Sequence, residues 1–208
     1  MGGRTFAVVA GVAALVTSVA AMAVIAAPVD PAVAAHHAAL FAQPANQVLG
    51  NPRGDVTIVE YFDYACPFCK AAEPRVEALL QADKGVRLEV KEFPVLGPES
   101  IVASRAALAA AQQNKYAAFH QALLLHRGGL DEGVIYGVAQ DLGLDVARLK
   151  RDMADPAIAT MIQANLKLAN DVHVHGTPTF IVDDHIVTQP SATLDFMQLA
   201  RNSRQGSH

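Results

Sequence analysis

The only two cysteines of the 208-residue chain, Cys66 and Cys69, stand three positions apart in the segment FDYACPFCK, residues 62–70. A pair so close in sequence cannot staple distant parts of a fold, so it reads as a reactive site rather than a structural disulfide. The motif follows an apolar, β-branched run and carries Pro67, a residue favoured at the first position of a helix because its missing N–H costs nothing there. The first sulfur therefore falls where unpaired helix N–H groups and the positive end of the macrodipole point, a location that favours a thiolate. Because the thiolate is the nucleophile in disulfide exchange, Cys66 is the expected attacking residue and Cys69 the resolving one. A thousandfold rise in acidity at Cys66 would be worth ~4 kcal/mol and would make the disulfide more oxidising by ~90 mV. That difference separates a donor of disulfides from a reductant; the sequence shows the location that permits it and not its size.

The competing use of two thiols is metal binding. A zinc site built on this spacing needs a second ligand pair. No further cysteine exists, and only His173 and His175, two apart beside Gly176, offer themselves to complete a set. Redox chemistry is the preferred reading, with no metal and no cofactor beyond the Cys66–Cys69 disulfide. The remaining histidines, His36, His37, His120, His126, His185 and His208, show no ligand spacing and read as surface or capping residues.

The elements that must position the dithiol are legible in the pattern. Residues 56–62 (VTIVEYF) form a buried strand, and a helix is expected from Pro67 to about 81, kinked or broken near Pro74. Residues 86–93 (VRLEVKEF) alternate as a second strand ended by Pro94. From 99 to 170 apolar residues recur at three- and four-residue spacing with no strand among them, giving four or five helices; Asp131 and Asp145 suit caps, Gly143 a helix end and Pro156 a helix start. Strand signal returns at 179–182 (TFIV), a turn at Asp183–Asp184 and 186–187 complete a hairpin, and Ser191 is expected to cap a closing helix to about 202. The fold class expected is α/β, a thioredoxin-like domain over 55–98 and 171–203 with a helical insertion over 99–170.

The ends and the composition narrow the setting. Arg4 is the only charge before Asp30, and residues 6–27 are apolar, the pattern of an export signal. Ala32-Val33-Ala34 has the small-x-small spacing of a cleavage site, so residues 1–34 read as a signal peptide, or as an uncleaved membrane anchor since the apolar run exceeds the usual signal core. Residues 35–54 are a lead-in. Both versions place the chain outside the cytoplasm, in a periplasm or cell envelope where disulfides persist. The hydrophobic share of 52% allows a substantial core, and the net charge of -4 without a basic stripe argues against nucleic acid.

The segments GDVTIVEYFDYACPFCK (54–70), KEFPVLGPES (91–100), QNKYAAFHQAL (113–123) and HGTPTFIV (175–182) together resemble the DsbA-like thiol:disulfide oxidoreductases of bacterial envelopes, over about residues 50–199, and within them a subgroup with Com1-like and suppressor-of-copper-sensitivity proteins. The resemblance implies that Cys66 is the exposed nucleophile, that Cys69 resolves, and that Thr177–Pro178 is a cis bond facing the dithiol, with the Thr177 backbone pairing with an extended substrate. It implies a proton relay to Cys69 by Glu60, with Lys91 as partner on the neighbouring strand. Pro67, Phe68 and Tyr64 flank the dithiol as contacts for unfolded or misoxidised exported proteins, and a membrane redox partner would reset the pair. Two departures bear on direction. Strong oxidants of the family carry a histidine where this chain has Phe68, and threonine before the cis proline resembles isomerases and reductases. An oxidase of folding proteins is the leading expectation, an isomerase or reductase the alternative, and a thiol-based metal or chaperone module the rival from another class. Trimeric relatives have a long N-terminal stalk, and the short lead-in here makes a monomer the expectation.

Overall fold

The computed structural model describes residues 29–188 and 190–206. Its centre is a five-stranded sheet in the order β1-β3-β2-β4-β5, formed by β1 (Val48–Gly50), β2 (Val56–Phe62), β3 (Val86–Glu92), β4 (Thr179–Val182) and β5 (His185–Ile186). β2 and β3 run parallel, and β1, β4 and β5 are antiparallel to their neighbours. The parallel pair needs a crossover, and α3 (Pro67–Ala82) supplies it. β2 is apolar on both faces because both are covered. Val56, Ile58 and Phe62 join Val86, Leu88 and Val90 in a core shared with α3 and the helical block. Val59, Tyr61 and Ile181 face the other way, under Val33, Leu40, Val172 and Val174. Each such aliphatic side chain contributes about 1.5–3 kcal/mol through burial.

The chain before β1 is more structured than its composition suggests. It forms α1 (Pro31–Ala35), α2 (His37–Leu40) and a 3-10 turn at Ala45–Gln47, and Val33 and Leu40 are fully buried against the sheet. The cleavage-like spacing Ala32-Val33-Ala34 thus lies in a packed helix; the apolar leader read over residues 6–27 lies outside the described residues. Among the described residues no helix is long and apolar enough to cross a membrane.

The helical block is α4 (Pro98–Ala111), α5 (Tyr116–Leu125), α6 (Glu132–Asp141), α7 (Val146–Asp152) and α8 (Pro156–Asp171). Asp131, Asp145 and Asp155 cap α6, α7 and α8 through their carboxyl oxygens. α9 (Phe196–Gln205) begins later than the spacing predicts, with Asp195 rather than Ser191 as its cap. Helix α3 runs through Pro74 as a single element. The Asp183–Asp184 turn has both residues at positive φ, +48° and +63°, as a two-residue hairpin turn of the primed type requires.

One buried carboxyl fastens the segment between β2 and α3. Asp63 is fully buried and accepts from the Ala65 N–H at 2.7 Å and the Ser100 hydroxyl at 2.6 Å. Its other oxygen accepts from the Val95 and Leu96 N–H groups at 2.8 and 3.0 Å. Truncation would strand these donors, and hydrogen bonds to a charged group are worth ~1.5–3 kcal/mol each. We expect Asp63→Ala to destabilise the chain by at least ~3 kcal/mol, and Asp63→Asn by a comparable amount because its amide nitrogen meets a backbone N–H in either orientation, as read by urea denaturation; losses below ~1 kcal/mol in both would mean that the carboxyl does not hold the loop.

Candidate functional site

Cys66 is the N-cap of α3, with extended backbone at φ -72° and ψ 118° and Pro67 at the first helical position. Cys69 comes one turn later on the buried face of the helix, together with Ala72, Glu73, Val76 and Leu79. Both cysteines are unpaired thiols. The Thr177–Pro178 bond is cis, and the Cys66 thiol donates to the Thr177 carbonyl at 3.3 Å. Cys66, Cys69, Thr177 and Pro178, 111 residues apart in sequence between Cys66 and Thr177, therefore meet at one point.

The two sulfurs live in opposite environments. A hydrogen bond from the Cys69 thiol, the Thr177 side chain and the N–H groups of Cys69 and Phe68 outweigh burial and bring Cys66 down to about 5. The two N–H groups are unpaired donors of the helix N-terminus, which a sulfur anion satisfies. Cys69 is pushed far up, first by burial, then by its hydrogen bond to Cys66 and the nearby Glu60 charge. At neutral pH the reduced site holds one thiolate and one thiol.

Glu60 lies on the core face of β2, 2% exposed. Burial, then the charges of Glu73 and Cys66, raise its carboxyl well above the ordinary range. Its Oε2 is buried without a hydrogen-bond partner. The expected Lys91 partner is not there. In the β2–β3 register Glu60 pairs with Val90, while Lys91 pairs with Tyr61 and points to the opposite face. There it bonds Gln43 Oε1 at 3.0 Å and the Ala39 carbonyl at 3.3 Å, with Glu89 at 3.7 Å. Its role is to hold the lead-in segment, and alternation along the strand is the reason.

Phe68 is 65% exposed beside the dithiol, with Val95 and Leu96 at 45% and 54%; Pro67 is exposed too. Tyr64, expected at this rim, is instead fully buried. Its hydroxyl donates to Glu92 Oε1 at 3.0 Å, beside Tyr116, which donates to the same oxygen at 2.8 Å. His120, expected at the surface, is also fully buried and lies 3.1 Å from the Tyr64 hydroxyl through Nδ1. Burial lowers His120 to about 3 and raises Glu92 to about 8, so this cluster is neutral near pH 7. His173 and His175 are exposed neighbours with ring centroids 6.4 Å apart, and among the described residues no three His, Cys, Asp or Glu side chains gather as a metal site.

Residues 57–200 match the model of the DSBA-like thioredoxin domain. The chain belongs to this family. Among solved structures it is similar to a thioredoxin-like oxidoreductase from Silicibacter pomeroyi DSS-3, at 42% identity and a TM-score of 0.74, covering 82% of this chain and 98% of that one. It is also similar to the thiol-disulfide exchange protein alpha-DsbA2 from Wolbachia pipientis, at 27% identity and a TM-score of 0.76, covering 86% and 96%. A curated relative, Na(+)/H(+) antiporter NhaA 1 of Salinispora arenicola, is 36% identical over 140 residues, which are 66% of this chain but only 22% of the antiporter. The chain thus spans about a fifth of that protein.

The acidity of Cys66 has a signed consequence. Its thiol ionises lower in the folded reduced chain than in the unfolded one, so the stability it contributes is complete above the ordinary thiol range near ~8.5 and is lost as pH falls through about 5. Thiolate absorbance should titrate with a midpoint near 5. The unfolding free energy of the reduced protein relative to Cys66→Ser should grow as pH rises from 5 toward the unfolded thiol range, and a pH-independent difference would contradict the assignment.

Proposed function

We propose that the chain exchanges its Cys66–Cys69 disulfide with thiols of exported proteins and acts chiefly as an oxidase, needing no cofactor beyond that disulfide. The observation that carries the reading is the Cys66 sulfur held near pKa 5 at the mouth of α3 while Cys69 stays a thiol. Stabilising the thiolate stabilises the reduced enzyme, which makes its disulfide a stronger acceptor of electrons. A client thiolate attacks Cys66, the Cys66–Cys69 bond breaks, and a second client thiol displaces Cys66 from the mixed disulfide. The half-buried Thr177 offers backbone beside the cis bond for an extended client, and Phe68, Val95 and Leu96 offer apolar contact. The export-like segment before Asp30 favours work in a periplasm or envelope, as a monomer reset by a membrane redox partner.

Threonine at 177 and phenylalanine at 68 favour a second reading, isomerase or reductase, on the same chemistry. Equilibration against glutathione separates the two: a potential near the oxidising end of the family range supports the oxidase, and one near ~-270 mV supports the reductase. Cys69→Ala should accumulate mixed disulfides through Cys66 with envelope proteins, visible by mass spectrometry and lost on reduction. Absence of such adducts, with stoichiometric metal bound instead, would overturn exchange altogether.

A further inference from the structure

An open chamber between β1, α3 and α5 presents hydrogen-bond acceptors with no cation to meet them, and we propose that it binds a small primary aliphatic ammonium ion. Its volume of about 320 Å³ lies in the range of small-molecule sites. Leu49, Leu80 and Ala118 give it an apolar wall, and Glu73, Glu77 and His120 supply polar groups. Neither cysteine lines it, and neither does Thr177 or Phe68, so the site is separate from the exchange centre.

His120 shows that the chamber lacks a donor. The ring is fully buried, and its Nδ1 lies 3.1 Å from the Tyr64 hydroxyl. That hydroxyl gives its one proton to Glu92 Oε1, so towards His120 it can only accept. The network therefore assigns the ring proton to Nδ1 and leaves Nε2 a bare acceptor. Tyr116 stacks on the ring and Phe62 meets it at 82°, so the edge carrying Nε2 is the part turned to the chamber. Nε2 has no hydrogen-bond partner, and a buried polar atom in that state calls for one.

The carboxyls define the charge of that partner. Glu73 is 5% exposed, and Glu77, one turn along α3, is half-buried, with one oxygen accepting from Gln81 Nε2 at 2.8 Å. Burial and the Glu77 charge raise Glu73 to about 7, with no donor set against them. No lysine or arginine occurs among the described residues that line the chamber. The other elements packed on α3 add none: β2 brings Glu60, raised by burial, and α5 brings His120, held neutral by burial. On β3 Glu92 is engaged by Tyr64 and Tyr116, and on α9 Arg204 binds Asp55 and Asp83. An ammonium group has three N–H donors and one positive charge, which serve Nε2 and the carboxyls together, while its alkyl stem lies on the apolar wall. A metal ion fits less well, because among the described residues no three His, Cys, Asp or Glu side chains gather to hold one. The bound cation favours Glu73 as a carboxylate, so binding expels the Glu73 proton below about 7 and strengthens as pH rises through that value.

The test is calorimetric titration of the full chain with n-butylammonium chloride at pH 6 and pH 8, with sodium chloride and butanol as controls for charge and stem alone. Saturable binding should be about tenfold tighter at pH 8, the factor by which the ionised fraction of a carboxyl near 7 grows over that interval, and proton release should accompany it at pH 6. Glu73→Gln should remove the pH dependence and weaken binding by about tenfold or more. Ala118→Phe, which fills the chamber from α5, should block binding with both carboxyls intact. The nitrogen NMR signal of His120 Nε2 should shift on adding the amine and stay put on adding salt. Should Glu73→Gln fail to fold, Ala118→Phe and the His120 signal decide the matter. No saturable heat at either pH, an equal response to butanol or sodium chloride, or binding unchanged in the folded variants would overturn the site, the first of these meaning that water alone fills the chamber.

Discussion

A single negative charge has to rest on Cys66 and be kept off Cys69, less than a helical turn away. The helix start meets this constraint because its unpaired N–H groups converge on the residue that caps it and on no other. Three residues on, the second sulfur faces the sheet, where burial, its hydrogen bond to Cys66 and the Glu60 carboxyl all disfavour a charge on it. The sheet order follows from the same need. β2 delivers the chain to the mouth of α3, and β4 returns from far along the sequence to set Thr177 and Pro178 over the capping sulfur.

The helical block serves this arrangement from behind. Tyr64, two residues before Cys66, is fixed by Glu92 at the end of β3, and Tyr116 and His120 of α5 complete the cluster. Asn165 of α8 donates to the Glu92 carbonyl. Buried polar groups are costly when unpaired and directional when satisfied, so the cluster sets how the block sits on the sheet more tightly than apolar contact does. Lys91 does the same on the opposite face, where it holds the lead-in segment.

Much of this was legible in order along the chain. The run VTIVEYF, Pro67 after the first cysteine, and TFIV after Gly176 identified β2, α3 and β4, because their apolar patterns and punctuation are local. The dithiol and the cis proline followed from spacing and from family resemblance. What escaped depended on direction across the sheet. Lys91 and Glu60 look like neighbours in a list of strands, yet one residue of register puts them on opposite faces. Tyr64 and His120 looked like surface residues because their hydrogen-bond partners are distant in sequence: Glu92 lies 28 residues from Tyr64, and Tyr64 lies 56 residues from His120. Val48 to Gly50 is too short to signal a strand alone; its pairing with β3 makes it one.

Asp63 ties two loops with the two oxygens of one side chain. One leads into the dithiol, and the other carries Val95 and Leu96. The apolar lip and the reactive sulfur therefore travel as a single rigid jaw. Because Asp63 grips only the backbone at 95 and 96, the side chains of the lip are free to vary without disturbing the alignment of the sulfur.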